Sequence, residues 1–289
     1  MQIWMDPPEI HAGVREFRRA GRTIGLVPTM GALHEGHRKL LETARAENDI
    51  ALASIYVNPL QFGPHEDFAR YPRTLEADLD LCRDVGLDAV LTLREETMRP
   101  REFATFVDVM GVSDGHEGAR RPGHFRGVAT IVMKLLGLTS PDRLYLGQKD
   151  AQQVVVIARM VADLNLATQV VVCPIVREAD GLALSSRNRY LSAEERAAAP
   201  AIAHGLKQMV EVYSAGERDL AALRGVAVAP IACSPLLTME YAEWVAPRTF
   251  TRLDRHDLPA EPVVFVVAVQ VGSTRLLDNQ ILPPHGSLV

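Results

Sequence analysis

The chain has 289 residues, 47% hydrophobic and 23% charged, with a net charge of -5. That balance is ordinary for a globular protein, gives no electrostatic reason to expect a nucleic-acid partner, and at this length makes two domains the default. No apolar run approaches the roughly 20 residues needed to cross a bilayer, so no membrane partner is expected.

The N-terminal stretch MQIWMDPPEIHAGVREFRRAG carries Asp, Pro and Glu where a signal peptide needs an apolar core, so a cytoplasmic protein is expected. Cys82, Cys173 and Cys233 are odd in number and widely spaced, which favours buried free thiols over a disulfide framework. Strand-like and helix-like segments then alternate. TIGLVPT (residues 23–29) is a short apolar strand, followed by the amphipathic HRKLLETARAEN. IALASIYV (residues 50–57) is apolar almost throughout, as a strand covered on both faces must be. The polar loop NPLQFGPHEDFARYPRT leads into a helix, LEADLDLCRDVG, and a strand, DAVLTL. After an irregular stretch come a buried helix, GVATIVMKLLGL, a strand, DRLYLG, a helix, AQQVVVIARMVADLN, and a strand, TQVVVCPIV.

Such alternation predicts a parallel sheet flanked by helices, with right-handed crossovers and ligands bound beyond the carboxyl ends of the strands. Residues 28–37, 58–71 and 147–153 all fall there, so three polar loops are expected to converge on one crevice. From about residue 178 the pattern changes. Ser192-x-x-Glu195 is a capping box before one long Ala-rich helix, and PLLTMEYAEWVA, PVVFVVAVQVG and TRLLDNQIL read as strands. The expected domains are 1–176 and a smaller α+β domain at 177–289, joined by a short hinge.

The loop VPTMGALHEGHRKL carries the first chemistry. Gly31 and Gly36 have P-loop spacing, but His37 and Arg38 stand where that motif requires Lys and Ser or Thr. A helix beginning near Gly36 aims free N–H groups at an anion, and His34 and His37 can donate to phosphate oxygens. The alternatives are two ordinary loop histidines, or a metal pair, which the three-residue spacing disfavours. Asn58 and Gln61 are neutral amides suited to a substrate's hydroxyl and carboxylate, although Asn-Pro is commonly a simple turn. Asp78 is a candidate Mg²⁺ ligand against the alternative of a solvated helix residue. Arg120, Arg121, His124 and Arg126 precede a buried helix, the wrong end for cations unless an anion or acidic partner is near. LGQKDAQQ supplies Gly147, Lys149, Asp150 and Gln153, and READGLALSSRN supplies Ser185, Ser186 and Arg187, a set suited to nucleotide phosphates.

Together these stretches resemble the pantoate–β-alanine ligase (pantothenate synthetase) family, whose HIGH-type ATP loop is shared with class I aminoacyl-tRNA synthetases. PTMGALHEGH, VNPLQFGPHEDFARYPRT, RPGHFRGVATIVMKLL, GQKDAQQ and READGLALSSRNRYLS carry the resemblance in order, and TRLLDN extends it. The resemblance implies a Rossmann-like first domain and a smaller C-terminal lid domain. It implies that pantoate's carboxylate attacks ATP to give pantoyl adenylate and pyrophosphate, after which β-alanine's amine releases pantothenate and AMP. By position it implies Met30 and His34 near the pantoate carboxylate and α-phosphate, and His37 near the β-phosphate. It puts Asn58, Gln61 and Gln153 on pantoate, and Gly147 and Asp150 on the ribose. Lys149, Ser185, Ser186 and Arg187 fall on the outer phosphates, Pro28 and Val176 beside the nucleotide, and Asp78 at Mg²⁺. It also suggests a homodimer through the first domain.

Gln148 stands where the family more usually has Glu, Ala77 where relatives often carry another acid, and Arg99 where the family prefers Tyr. Water exclusion from an acyl adenylate calls for closure of the smaller domain over the crevice. Two other classes compete: a nucleotidyltransferase that attacks with phosphate, which VNPLQF and GHFRG argue against, and a non-catalytic nucleotide sensor, which retention of Lys149, His34 and His37 makes unattractive.

Overall fold

The computed structural model describes residues 1–64 and 66–289. By its internal contacts the chain divides into two units, Met1–Gly147 with Val156–Cys173, and Gln148–Val155 with Pro174–Val289. The sequence suggested one break at 176/177; the structure instead groups the short segment Gln148–Val155 with the C-terminal residues.

The first unit carries β1 (Gln2–Trp4), α1 (Pro7–Arg19), β2 (Ile24–Thr29), α2 (Glu35–Glu47), β3 (Ile50–Ile55), α3 (Leu75–Val85), β4 (Ala89–Thr92), α4 (Glu95–Met98), α5 (His116–Arg120), α6 (His124–Thr139) and β5 (Arg143–Gly147). α7 (Ala151–Asp163) crosses between the units, and β6 (Gln169–Cys173) returns to the first. All six strands are parallel, in the order β1-β4-β3-β2-β5-β6. β2 and β3 pair from Ile24↔Ile50 to Thr29↔Ile55. Their near-continuous burial explains why both read as apolar runs rather than alternating ones. Strand order runs outward from β2 through β3 to β4, then restarts on its other side with β5 and β6. That reversal puts a topological switch point at the carboxyl ends of β2 and β5. Val27, Leu41, Ala44, Ala53, Leu79, Val90 and Tyr145 form the core beneath it. The one polar tip in that group is satisfied: the Tyr145 hydroxyl donates to Glu47 Oε2 at 2.9 Å and accepts from Asn48 Nδ2 at 2.7 Å.

The second unit carries α8 (Ala193–Ala198), α9 (Ala201–Ser214), α10 (Leu220–Ala232) and an antiparallel sheet of β7 (Leu237–Val245), β8 (Val263–Val271) and β9 (Thr274–Leu282), in that order. Leu206, Met209, Leu223, Trp244, Phe265 and Val267 are central to its core. Two sequence expectations need correction, and one helix of this unit went unread. The long Ala-rich helix is two helices, parted at Pro200, which lacks the N–H that a continuing helix needs. α10 has no amphipathic period and contains Pro230, which hid it. Cys82 and Cys173 are buried free thiols as expected, but Cys233 at the end of α10 is exposed. β1 and α1 also went unread. The capping box at Ser192 and Glu195 forms as the spacing requires.

Candidate active site

β2 ends at Thr29, and the chain must turn off the sheet before α2 begins at Glu35. Gly31 (φ 77) and Ala32 (φ 51) make the turn in the left-handed region, which only glycine adopts without strain. The tie that holds it is Asp78, on the first turn of α3 and 2% exposed. Its carboxylate accepts from the backbone N–H of Ala32 at 3.0 Å and Leu33 at 2.8 Å, and from the Thr74 hydroxyl at 3.1 Å. Thr29 Oγ1 adds a second tie, donating to the Ser54 carbonyl at 2.7 Å and accepting from the Gly31 N–H at 3.2 Å. A Cβ at Gly31 would come within 2.9 Å of Asp78 Oδ2, so the close approach needs glycine as well.

The two histidines cap the helix that follows. His34 is the N-cap of α2: its Nδ1 accepts from the Gly36 N–H at 3.1 Å, while His37 Nδ1 accepts from the His34 N–H at 3.3 Å. The pair thus forms a capping box built from imidazoles, with ring centroids 4.1 Å apart. A nitrogen that accepts carries no proton, so each neutral ring has its proton on Nε2. Each ring therefore joins an acceptor toward the helix to a donor on its far edge. The site sits at the N-terminus of α2, where the helix dipole already favours an anion.

Beyond β3, Asn58 and Gln61 meet. Asn58 is 2% exposed; its Nδ2 donates to Gln61 Oε1 at 3.0 Å and to the Gly127 carbonyl at 3.1 Å, and its Oδ1 accepts from the Leu60 N–H at 3.0 Å. The Asn58 amide is spent on the loop, and with Oε1 occupied Gln61 presents its Nε2 donors. α6 lies against this turn because residue 127 is glycine; a Cβ there would overlap the Leu60 carbonyl.

Behind Gln61 stands a charged pair. Arg121 donates to Glu66 through Nε and Nη2, both at 2.7 Å, and Nη2 also reaches the Gln61 carbonyl at 3.3 Å. Here is the acidic partner that the basic residues ahead of α6 required. His124 Nδ1 lies 2.8 Å from the same carbonyl, and its Nε2 lies 3.1 Å from Arg121 Nη1. A carbonyl can only accept and a guanidinium only donate, so Nδ1 holds the proton. Burial, aided by the Arg121 charge, pushes the His124 pKa down to about 4, which keeps the ring neutral. Burial works to raise the Glu66 pKa, but the hydrogen bonds and charge of Arg121 outweigh it and hold the carboxyl below its usual range.

In the second unit, Lys149 lies half-buried in the turn Gln148–Asp150, its Nζ 3.5 Å from Asp150 Oδ1. Ser185 caps the turn Ser186–Tyr190 by accepting from the Arg187 N–H at 3.3 Å. Asn188 ties that turn back, donating to Glu178 Oε1 at 2.9 Å and to the Ala183 carbonyl at 3.1 Å. Arg196 closes the group on Glu178 and Asp180, at 2.6 Å each.

Of the residues named from sequence, Pro28 lies near the end of β2, Met30 on the loop that leaves it, His34 at the N-cap of α2 and His37 in its first turn, Gly147 ends β5, and Asn58 and Gln61 follow β3, all within the first unit. Lys149, Asp150, Gln153, Val176, Ser185, Ser186 and Arg187 belong to the second. Asp78, the Mg²⁺ candidate, is buried, unlike the solvated helix residue of the alternative reading, and its two oxygens accept from the Ala32 and Leu33 N–H groups of the ATP-loop candidate. Sequence reasoning missed Glu66, Arg177, Asp278 and Asn279. The signal for the last two was a polar Asp-Asn dipeptide inside the otherwise apolar strand TRLLDNQIL.

A sequence model of the family described as "Pantoate-beta-alanine ligase" matches residues 2–281. The chain is 49% identical over 285 residues to pantothenate synthetase of Acidobacterium capsulatum, covering 95% of this chain and 94% of the relative. Its structure is similar to that of pantothenate synthetase from Thermus thermophilus, with a TM-score of 0.90 at 43% identity over 96% of this chain and 98% of the other. It is also similar to the pantoate-beta-alanine ligase of Francisella tularensis complexed with beta-gamma ATP and beta-alanine, with a TM-score of 0.79 at 30% identity and full coverage of both chains.

Proposed function

Because this chain belongs to the pantoate-beta-alanine ligase family, we propose that it condenses pantoate with β-alanine at the expense of ATP, and we assign its side chains to the steps as follows. A pantoate carboxylate oxygen attacks the α-phosphorus, the bond from that phosphorus to the bridging oxygen breaks, and pyrophosphate leaves. The β-alanine amine then attacks the acyl carbon, AMP leaves with the carbon–oxygen bond electrons, and the amine's proton passes to solvent.

The observation that carries the reading is the imidazole capping box at the start of α2. An attacking carboxylate and a triphosphate repel, and fixed donors that meet the charge as it moves to the leaving oxygens lower the barrier. His34 Nε2–H serves the α-phosphate and His37 Nε2–H the β-phosphate, with Met30 and Pro28 beside them. Lys149, Ser185, Ser186 and Arg187 serve the outer phosphates as they leave. Gly147 and Asp150 take the ribose, and Val176 lies beside the nucleotide. Gln61 and Gln153 hold pantoate, and Asn58 acts through Gln61.

Mg²⁺ accompanies ATP in this reading, and we assign it no protein cage. Among the described residues no group of three or more His, Cys, Asp or Glu could hold a metal ion. We assign Asp78 to the loop it ties and leave the ion to phosphate oxygens and water, its ordinary ligands. A cytoplasmic homodimer is proposed on family membership, with sedimentation as its test; among the described residues no helix is long and apolar enough to cross a membrane.

The test is pyrophosphate exchange. Labelled pyrophosphate is expected to enter ATP with pantoate and Mg²⁺ present and β-alanine absent, and to stop entering when pantoate is withheld. Release of ADP, or exchange that requires β-alanine, would overturn the adenylate mechanism and the histidine roles with it.

A further inference from the structure

Lys149 sits on a three-residue turn, too short to fix a cation by its own hydrogen bonds, and its anchor comes from 130 residues further along the chain. Asn279 on β9 is 2% exposed, and its Nδ2 donates to the Gln148 carbonyl at 3.0 Å and to the Lys149 carbonyl at 3.1 Å. Its Oδ1 accepts from Gln148 Nε2 at 3.0 Å. The amide orientation follows from the partners: two carbonyls face Nδ2 and neither can donate. All of this lies within the second unit.

The preceding residue does parallel work. Asp278 is buried, and Arg177 donates to it twice, at 2.6 and 3.0 Å. Arg177 also reaches the Gly181 carbonyl at 3.1 Å and bridges to Ala183 in antiparallel fashion, while the Leu184 N–H donates to the Val176 carbonyl at 2.9 Å. Ser185 begins where that narrow hairpin ends. Finally the Asn279 backbone N–H donates to Asp278 Oδ1 at 2.8 Å, which fixes the Asp278 carboxylate against the strand that also carries Asn279.

We propose that Asp278 and Asn279 are positioning residues for adenylation, which hold the Lys149 turn and the segment leading to Ser185 in fixed register through one strand. β9 itself pairs with β8 along all nine residues by backbone bonds, so its place in the sheet does not depend on these side chains. What depends on them is where the Lys149 ammonium is held, and a displacement of about 1 Å in a reacting geometry costs about 10² in rate.

The proposal rests on the role given to Lys149, so the test is a double-mutant cycle with that residue. Asn279→Asp keeps the volume but turns a carboxylate toward two carbonyls. It is expected to slow pantoate-dependent pyrophosphate exchange about 10²-fold and to raise the KM for ATP, leaving the KM for pantoate unchanged, with a lower melting temperature because the buried carboxylate faces two carbonyls. Gln148→Met removes only the bond to Asn279 Oδ1 and is expected to show the same ATP-only signature at smaller size, which keeps the test available if Asn279→Asp folds poorly. In a Lys149→Ala background, Asn279→Asp is expected to add almost nothing. Losses that multiply in the double variant, or KM values for both substrates rising together, would overturn the positioning role. Full exchange in Lys149→Ala alone would instead remove Lys149 from the reaction, a distinct failure.

Discussion

The His124 ring is the point at which acid should enter this enzyme. Its ordinary pKa of 6.5 is pushed down to about 4 by burial and by Arg121, while the unfolded chain keeps the ordinary value. Between those limits the unfolded chain binds the proton and the folded one does not. Stability from this group is therefore complete above about pH 6.5 and lost as pH falls toward 4, a total of about 3 kcal/mol at about 1.4 kcal/mol per tenfold. Glu66 loses its share in the same direction but in a lower window, through its depressed folded pKa, so the two separate. The functional consequence lies in geometry. A protonated ring can no longer accept from Arg121, and both groups hold the Gln61 carbonyl.

The assay is NMR of ¹⁵N-labelled histidine from pH 7 to 4, with the pantoate KM measured alongside. His124 should remain a neutral Nδ1–H tautomer at pH 6 and titrate near 4, and the pantoate KM should rise below about pH 5, the ATP KM much less. Urea unfolding of wild type and His124→Phe isolates the energy, since the other histidines cancel in the difference. A His124 titration near 6.5, or stability curves that run parallel in wild type and variant, would refute the reasoning.

Asp78→Asn turns an amide N–H toward the Ala32 or Leu33 N–H; a buried unsatisfied donor costs about 1–3 kcal/mol, so exchange should fall about tenfold or more with the half-maximal Mg²⁺ concentration unchanged. A raised Mg²⁺ requirement in that variant would return Asp78 to the metal. Gly127→Ala must push the Leu60 carbonyl away, so the pantoate KM should rise about tenfold or more while the KM for ATP holds; equal rises would locate the damage elsewhere. Lys149→Ala should fold normally and lose about 10²–10³ in rate, and near-normal turnover would exclude it from the mechanism.

How much of this was legible in the sequence depended on the range of the interaction. β2 and β3 are buried on both faces, so their apolar runs were plain, and the switch point followed from alternation alone. β1 is three residues long at a sheet edge with two of them exposed, too short for any period. α1 carried readable signals in the Asp6 cap and Pro7, but only Ile10 and Val14 of its residues are buried, a thin stripe. The histidines stood out because helix caps are local, with both partners within three residues. The supports did not. Arg121 meets Glu66 across 55 positions, Ala32 meets Asp78 across 46, and Asn279 meets Gln148 across 131. No local pattern reports such pairings, so Asp78 read as a solvated acid or a metal ligand when its partners were backbone N–H groups.

The departure from a P-loop now has a physical reason. A lysine at position 37 would bring a charge but only donors, so it could not accept the His34 N–H that closes the cap. A serine or aspartate could accept that N–H, but neither extends a donor from the far side of a rigid ring. Imidazole does both: Nδ1 fixes the first turn of α2, and the same bond forces the proton onto Nε2, which is where a phosphate oxygen would be met. Capping and tautomer are one constraint, so the donors are set when the helix forms and need no rearrangement on binding. Asp78 extends this from the other side by fixing the loop that delivers His34. Fixed donors matter most where charge moves a short distance, as it does when the bridging oxygen at the α-phosphorus becomes a leaving group. In the proposed roles, Lys149 meets the departing outer phosphates as a point charge whose backbone is anchored by Asn279, a complement to the fixed donors of the imidazoles.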